Sequence, residues 1–244
     1  LQSDQDIIAL AQTGTGKTAS FGLPLLQRIN PKDSGVHALV LCPTRELCVQ
    51  VASDLEKYAQ HARQYKIVAV YGGASIETQI RQIKSGAQIV VATPGRLMDL
   101  ITRKAIRLDA VERVVLDEAD EMLNMGFKEA VDFILGAAQN RKSIWLFSAT
   151  MPDEVRAIAS NYMQSPQELS TGKRNQTNEN IEHQYYVCRA EDRYAALKRV
   201  VDANPGIYGL IFVRTKVEAK EIAEQMIRDG YNSDALHGDL AQAD

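Results

Sequence analysis

With 244 residues, 45% hydrophobic and 24% charged, the sequence has the make-up of one large globular domain or two of ordinary size. No uninterrupted apolar run reaches bilayer-spanning length, and the polar opening Leu1-Gln-Ser-Asp-Gln-Asp6 does not read as a secretory leader. A net charge of −3 supplies no overall positive field, which weighs against a sequence-reading DNA binder but leaves room for one basic face.

The first apolar run, Ile7–Leu10, predicts a strand that feeds directly into Ala11, Gln12, Thr13, Gly14, Thr15, Gly16, Lys17 and Thr18, after which a helix begins near Lys17. Ala11, four others and then Gly-Lys-Thr, between strand and helix, fits the phosphate-loop pattern, with Ala11 in place of the usual first glycine. Its glycines let successive backbone N–H groups turn inward around phosphate oxygens, and the helix start adds its positive dipole end. Lys17 can neutralise the β- and γ-phosphates of a nucleotide, and the Thr18 hydroxyl can ligate Mg²⁺. A plain glycine-rich turn is the blander alternative, and the strand–loop–helix placement disfavours it.

Further strands are expected at Ala38–Cys42, Ile67–Tyr71, Gln88–Ala92, Val114–Asp117 and Ile144–Ser148. Helical periodicity fills the gaps at Glu46–Tyr58, Ile76–Lys84, Leu97–Thr102, Lys128–Ala138 and Val155–Met163. Continuous Val/Ile/Leu runs joined by helices indicate a doubly wound α/β fold with a parallel sheet covered on both faces. The run Val114-Val-Leu-Asp-Glu-Ala-Asp120 brings carboxylates out of a strand end, where Asp117 can hold the ion and Glu118 can orient or deprotonate a water. Alone, these acids would read equally well as favourable charges at a helix start.

Thr44-Arg45, Gly72-Gly73 and Thr93-Pro94-Gly95-Arg96 each follow an expected strand, on the loop side where such sheets bind ligands. Thr44 and Thr93 can cap helices and Pro94 suits a first turn, but capped helix starts with Arg45 or Arg96 beside them also suit a phosphate backbone. Aromatic residues make up 6% of the chain and are absent from these loops, which argues against base stacking as the main grip. The three cysteines and four histidines are too scattered for a disulfide framework or a metal site and suggest free thiols in a reducing cytoplasm.

The polar stretch Ser170–Asn180 reads as a linker that separates a first domain, 1–169, from a second unit, 181–244. There the alternation restarts, with strands expected at Gln184–Cys188, Gly209–Val213 and Ala235–Leu236, and helices at Ala190–Asp202 and Lys216–Arg228. Roughly sixty residues are near the size at which one core becomes marginal, so this unit is expected to be the first part of a domain.

With Asp117-Glu-Ala-Asp120 beside the phosphate loop, the chain resembles the DEAD-box RNA helicases, bacterial members above all, over essentially its whole length. Pro43-Thr-Arg-Glu-Leu47, Gly72-Gly73, Thr93-Pro-Gly-Arg96, Ser148-Ala149-Thr150, Leu210-Ile-Phe-Val-Arg214-Thr215 and His237-Gly-Asp-Leu240 match further family elements in family order. The resemblance implies two RecA-like domains that close on ATP, Mg²⁺ and RNA and separate strands locally. It assigns Thr44, Arg45, Gly72, Gly73, Thr93, Pro94, Gly95, Arg96, Arg214 and Thr215 to RNA. It assigns Asp120, Ser148, Ala149 and Thr150 to coupling between nucleotide and RNA.

The family's adenine-reading glutamine motif would precede Leu1, and its arginine fingers would follow Asp244. This stretch by itself is therefore expected to bind nucleotide weakly and turn it over poorly. An RNA clamp that unwinds little and a DNA translocase of the same superfamily are the rival readings. Glu118 opposes the first, and the Asp-Glu-Ala-Asp and Ser-Ala-Thr spellings oppose the second.

Overall fold

The computed structural model describes residues 4–12, 14–30, 32–61, 65–170 and 181–240, and the chain divides into units Leu1–Thr177 and Asn178–Asp244. In the first unit the strands are β1 (Ile7–Leu10), β2 (Ala38–Leu41), β3 (Ile67–Val70), β4 (Ile89–Ala92), β5 (Arg113–Leu116), β6 (Ser143–Ser148) and β7 (Gln167–Ser170). They form one parallel sheet in the order β3-β4-β2-β5-β6-β1-β7. Between them run α1 (Lys17–Arg28), α2 (Arg45–Tyr58), α3 (Ile76–Lys84), α4 (Pro94–Thr102), α5 (Ala119–Asn124), α6 (Lys128–Ala137) and α7 (Asp153–Tyr162).

The strand residues divide between two cores by the period-2 rule. Ile8, Leu39, Leu41, Val90, Val114 and Leu146 face a core shared with Leu97 and Leu100 of α4, Met122 of α5, Ile134 of α6 and Ile158 of α7. Ile7, Val40, Ile89, Val91, Val115, Trp145 and Phe147 face the other side, against Phe21 and Leu25 of α1 and Val51 and Leu55 of α2. Every residue of β2, β4, β5 and β6 is buried, so their runs are apolar almost throughout rather than alternating.

The doubly wound α/β expectation holds, with two differences in the first unit. β7, which pairs with β1 at one sheet edge, was not foreseen because all four of its residues are exposed and no apolar pattern marks it. Its last residue is Ser170, so the strand takes in what the composition assigns to the linker; the rest of that stretch, 171–180, lies outside the described residues.

The second unit has a single 3₁₀ turn at Ala190–Asp192, then α8 (Arg193–Asp202) and α9 (Lys216–Arg228). The strand expectations at Gln184–Cys188, Gly209–Val213 and Ala235–Leu236 are corrected: among the described residues none of these segments joins a ladder. Tyr185, Val187, Leu210 and Phe212 stay exposed instead. A strand exists only where a neighbour takes its N–H and C=O groups, and an apolar run does not specify that neighbour. α9 keeps the expected bounds because its signal is local. Glu218 N–H donates to the Thr215 hydroxyl at 3.1 Å, and the Glu218 carboxylate accepts from Arg214 N–H at 3.3 Å, a variant of the capping box.

Candidate nucleotide and RNA sites

Parallel strands put all their carboxyl ends on one edge of the sheet, and the expected site residues lie along it. On the β5-β6-β1 half, β1 ends at Leu10, in register with Ser148 at the end of β6, and Ala11 N–H donates to Ser148 O at 3.0 Å. The loop then turns through Gly14 at φ 79° and Gly16 at φ 84°, left-handed values that a Cβ would strain. A Cβ built on either glycine meets nothing within 4 Å, so the loop is open at both. Thr15 bridges it internally, its hydroxyl donating to Gln12 O at 2.8 Å. α1 starts at Lys17 with no side-chain cap and no acidic residue in its first turn, which leaves its initial N–H groups for an anion. Thr13 lies outside the described residues.

Two charged groups beside this loop have no hydrogen-bond partner despite burial: Lys17 Nζ and Asp117 Oδ1. Buried polar groups are ordinarily paired, and an orphaned cation and anion mark a place for a ligand that satisfies both. They are near enough to feel each other. Burial pushes the Asp117 carboxyl up to about 6, the Lys17 cation pulls against this rise, and Glu118 adds to it.

Glu118 itself has φ 53° and ψ 54°, a left-handed backbone at a non-glycine residue, and it forms the N-terminal boundary of α5. Such a conformation persists only where its surroundings impose it, and it concentrates at functional sites. With Thr18 half-buried at the start of α1, the donors present suit a magnesium–triphosphate: hard oxygens from Thr18 and Asp117, a cation, and an amide cradle.

Asp120, in the first turn of α5, holds the end of β6. Its Oδ2 accepts from Thr150 N–H at 2.9 Å and from the Thr150 hydroxyl at 2.7 Å, and its own N–H donates to the buried Ser148 hydroxyl at 3.3 Å. Burial would raise this carboxyl, but the hydrogen bonds from Thr150 and Ser148 hold it below the usual carboxylate range. Ala149 lies between these two partners and is exposed.

On the β3-β4-β2 half, the loops after the three strands carry the remaining expected residues of this unit. The Thr44 hydroxyl caps α2 by accepting from Leu47 N–H at 3.2 Å. Thr93 occupies the same position before α4 with Pro94 in the first turn, but its side chain makes no cap bond, which corrects that expectation. The Arg45 guanidinium lies 5.0 Å from the centre of the Tyr71 ring, over its face. β3 ends at Val70, so Tyr71 belongs to the loop with Gly72 and Gly73, and these loops do contain an aromatic residue. Gly73 has φ 86°, and a Cβ there would come 3.5 Å from Arg45 Nη1. Arg96 donates to Ala74 O at 3.1 and 3.2 Å and to Gln79 Oε1 at 2.9 Å.

The family model of the DEAD/DEAH box helicases matches residues 1–158. The chain belongs to that family. It is 43% identical over 241 residues to the DEAD-box ATP-dependent RNA helicase CshA of Bacillus subtilis, covering 99% of this chain and 49% of that protein. CshA of Geobacillus kaustophilus is 42% identical over 240 residues, covering 98% of this chain and 51% of that protein. The chain thus spans about half the length of the curated relatives it matches. Among solved structures, a DEAD box protein from Methanococcus jannaschii superposes with a TM-score of 0.66 at 43% identity, covering 97% of this chain and 63% of that one. A structure described as a hypothetical ATP-dependent RNA helicase from Sulfolobus tokodaii gives 0.64 at 33% identity, covering 91% and 63%.

Of the residues expected to act together in this helicase chain, the fold brings one set to each half of the sheet edge. Arg214 and Thr215 belong to the second unit, where Thr215 caps α9. Sequence reasoning missed Tyr71 and Gln79. Tyr71 was hidden by assigning it to the strand, and Gln79 is one polar residue in an otherwise ordinary amphipathic helix. Among the described residues no helix is long and apolar enough to cross a membrane, and no group of three His, Cys, Asp or Glu side chains could hold a metal alone.

Proposed function

We propose that the protein is an ATP-dependent RNA helicase and that this chain supplies its ATP site and part of its RNA face. The observation that carries the reading is the pair Lys17 Nζ and Asp117 Oδ1, buried and unpartnered beside an open, glycine-lined loop. Loop amides and the α1 start bind the phosphates, Lys17 neutralises their charge, and Thr18 and Asp117 would hold Mg²⁺, directly or through water. When bound, the ion screens phosphate charge and steadies the leaving group. Glu118 orients or deprotonates the attacking water.

Thr44, Arg45, Gly72, Gly73, Thr93, Pro94, Gly95 and Arg96 form the RNA face of the first unit, and Arg214 and Thr215 are RNA-binding residues of the second unit by itself. Contacts of this kind grip phosphate and sugar, so sequence preference is weak. Asp120, Ser148 and Thr150 tie the acid-bearing turn to the end of β6, giving nucleotide state a route to the RNA grip. Three free thiols, two of them buried, suit a reducing cytoplasm.

The test is ATP hydrolysis by the full-length protein with and without RNA, together with release of a short RNA duplex. RNA should stimulate hydrolysis and Glu118→Gln should abolish it. An RNA-independent rate, or equal stimulation by DNA, would refute the reading.

A further inference from the structure

We infer that Gln79 is a positioning residue that locks two RNA loops of the first unit to each other through Arg96. The inference rests on the RNA reading of that face. Gln79 lies on α3 and is only 4% exposed, although most polar residues of that helix face solvent. Both ends of its amide are used. Nε2 donates to Tyr71 O at 3.0 Å, immediately before Gly72-Gly73, and Oε1 accepts from Arg96 Nη1 at 2.9 Å. Arg96 in turn donates from Nη1 and Nη2 to Ala74 O at 3.1 and 3.2 Å, immediately after the glycine pair.

The loop between β3 and α3 is therefore held on both sides of its glycines, and the two holders are bonded to one another. Because Arg96 stands in the first turn of α4, the same bond fixes the loop after β4 relative to the loop after β3. Gly73 at φ 86° is a pliable point, so its N–H faces one direction only if the residues flanking it are pinned. Three of the five guanidinium N–H donors of Arg96 are committed to this lock, which leaves donors for phosphate. Gln79 carries no charge and is out of solvent, so it acts on RNA through preorganisation rather than contact.

The experiment measures RNA affinity by anisotropy of a labelled ten-nucleotide oligouridylate, and nucleotide affinity with a fluorescent ATP analogue. The variants are Gln79→Met, Gln79→Glu, Arg96→Ala and the double variant Gln79→Met/Arg96→Ala. Gln79→Met should weaken RNA binding about tenfold, the scale of losing a preorganised loop, with nucleotide affinity unchanged. Gln79→Glu keeps an oxygen for Arg96 but sets a carboxylate oxygen against Tyr71 O, so it should remain weaker than the parent. The double variant should be no weaker than Arg96→Ala, because the two residues act as one unit.

If Arg96→Ala weakens RNA binding while Gln79→Met does not, the inference is overturned and the RNA face stands. Additive losses, a Gln79→Glu variant as tight as the parent, or a parallel fall in nucleotide affinity would overturn it too. If neither Arg96→Ala nor Gln79→Met changes RNA binding, the RNA face itself is wrong.

Discussion

Thr150 donates both its backbone N–H, at 2.9 Å, and its hydroxyl, at 2.7 Å, to the same atom, Oδ2 of Asp120. One carboxylate oxygen thus holds the end of β6 against the first turn of α5, while the Ser148 hydroxyl accepts from the Asp120 N–H. Replacing Thr150 with Ala removes one charge-assisted bond and keeps the backbone one. Because Thr150 is exposed and Asp120 only half-buried, the expected loss of stability in urea unfolding is small, about 1 kcal/mol. Nucleotide affinity should stay within about threefold, and duplex released per ATP should fall further than hydrolysis does. Equal falls in both would show that Thr150 is a structural cap alone.

The left-handed backbone at Glu118, φ 53°, predicts a trade between stability and function. Glu118→Gly relieves a conformation that costs about 1 kcal/mol or more and should raise the unfolding midpoint while abolishing hydrolysis. Glu118→Gln should abolish hydrolysis with stability unchanged. A glycine variant less stable than the parent would mean that the strain is not there.

Asp117 makes stability depend on pH in the nucleotide-free protein. Its folded-state pKa of about 6 lies above the ordinary 3.8, so the fold holds this proton more tightly than the unfolded chain does. Stability is therefore favoured below the unfolded value and is lost as pH rises from about 4 through 6. The shift corresponds to at most about 3 kcal/mol. Asp117→Asn should be more stable than the parent at pH 8 with chelator present, with the gap closing at pH 4, as read from urea midpoints. A less stable Asn variant at pH 8 would contradict the desolvated, unpartnered state of Oδ1.

Gly16 combines φ 84° with open space around a built Cβ. Gly16→Ala should therefore cost about 1–2 kcal/mol through backbone strain, without a steric clash in the empty protein. The methyl group enters the space the phosphates need, so ATP affinity should drop at least roughly tenfold, measured by titration calorimetry. Unchanged ATP affinity would move the phosphate site elsewhere.

Six strands of the first unit and the doubly wound class were readable because a parallel sheet covered on both faces needs apolar runs, and β2, β4, β5 and β6 are apolar almost throughout. The glycine turn after β1 was readable because only glycines take the turns at Gly14 and Gly16 at no steric cost. β7 was not, since its four residues are exposed and its strand character comes wholly from pairing with β1. The apolar segments Gln184–Cys188 and Gly209–Val213 show the converse: strand-forming composition, and no ladder among the described residues.

Local chemistry, then, was written in the chain: which residues turn, which cap, which run is apolar enough for a strand, and which cation and acids are candidates to meet a nucleotide. The fold alone decided what long-range contact imposes. It ran β6 between β1 and β5, so that Ser148 stands between the phosphate loop and Asp117. It left Lys17 Nζ and Asp117 Oδ1 buried without partners, bent the backbone at Glu118, and buried Gln79 against Arg96. Helix and turn signals span a few residues and survive in the linear order, whereas burial and pairing depend on neighbours that the chain reaches only by folding.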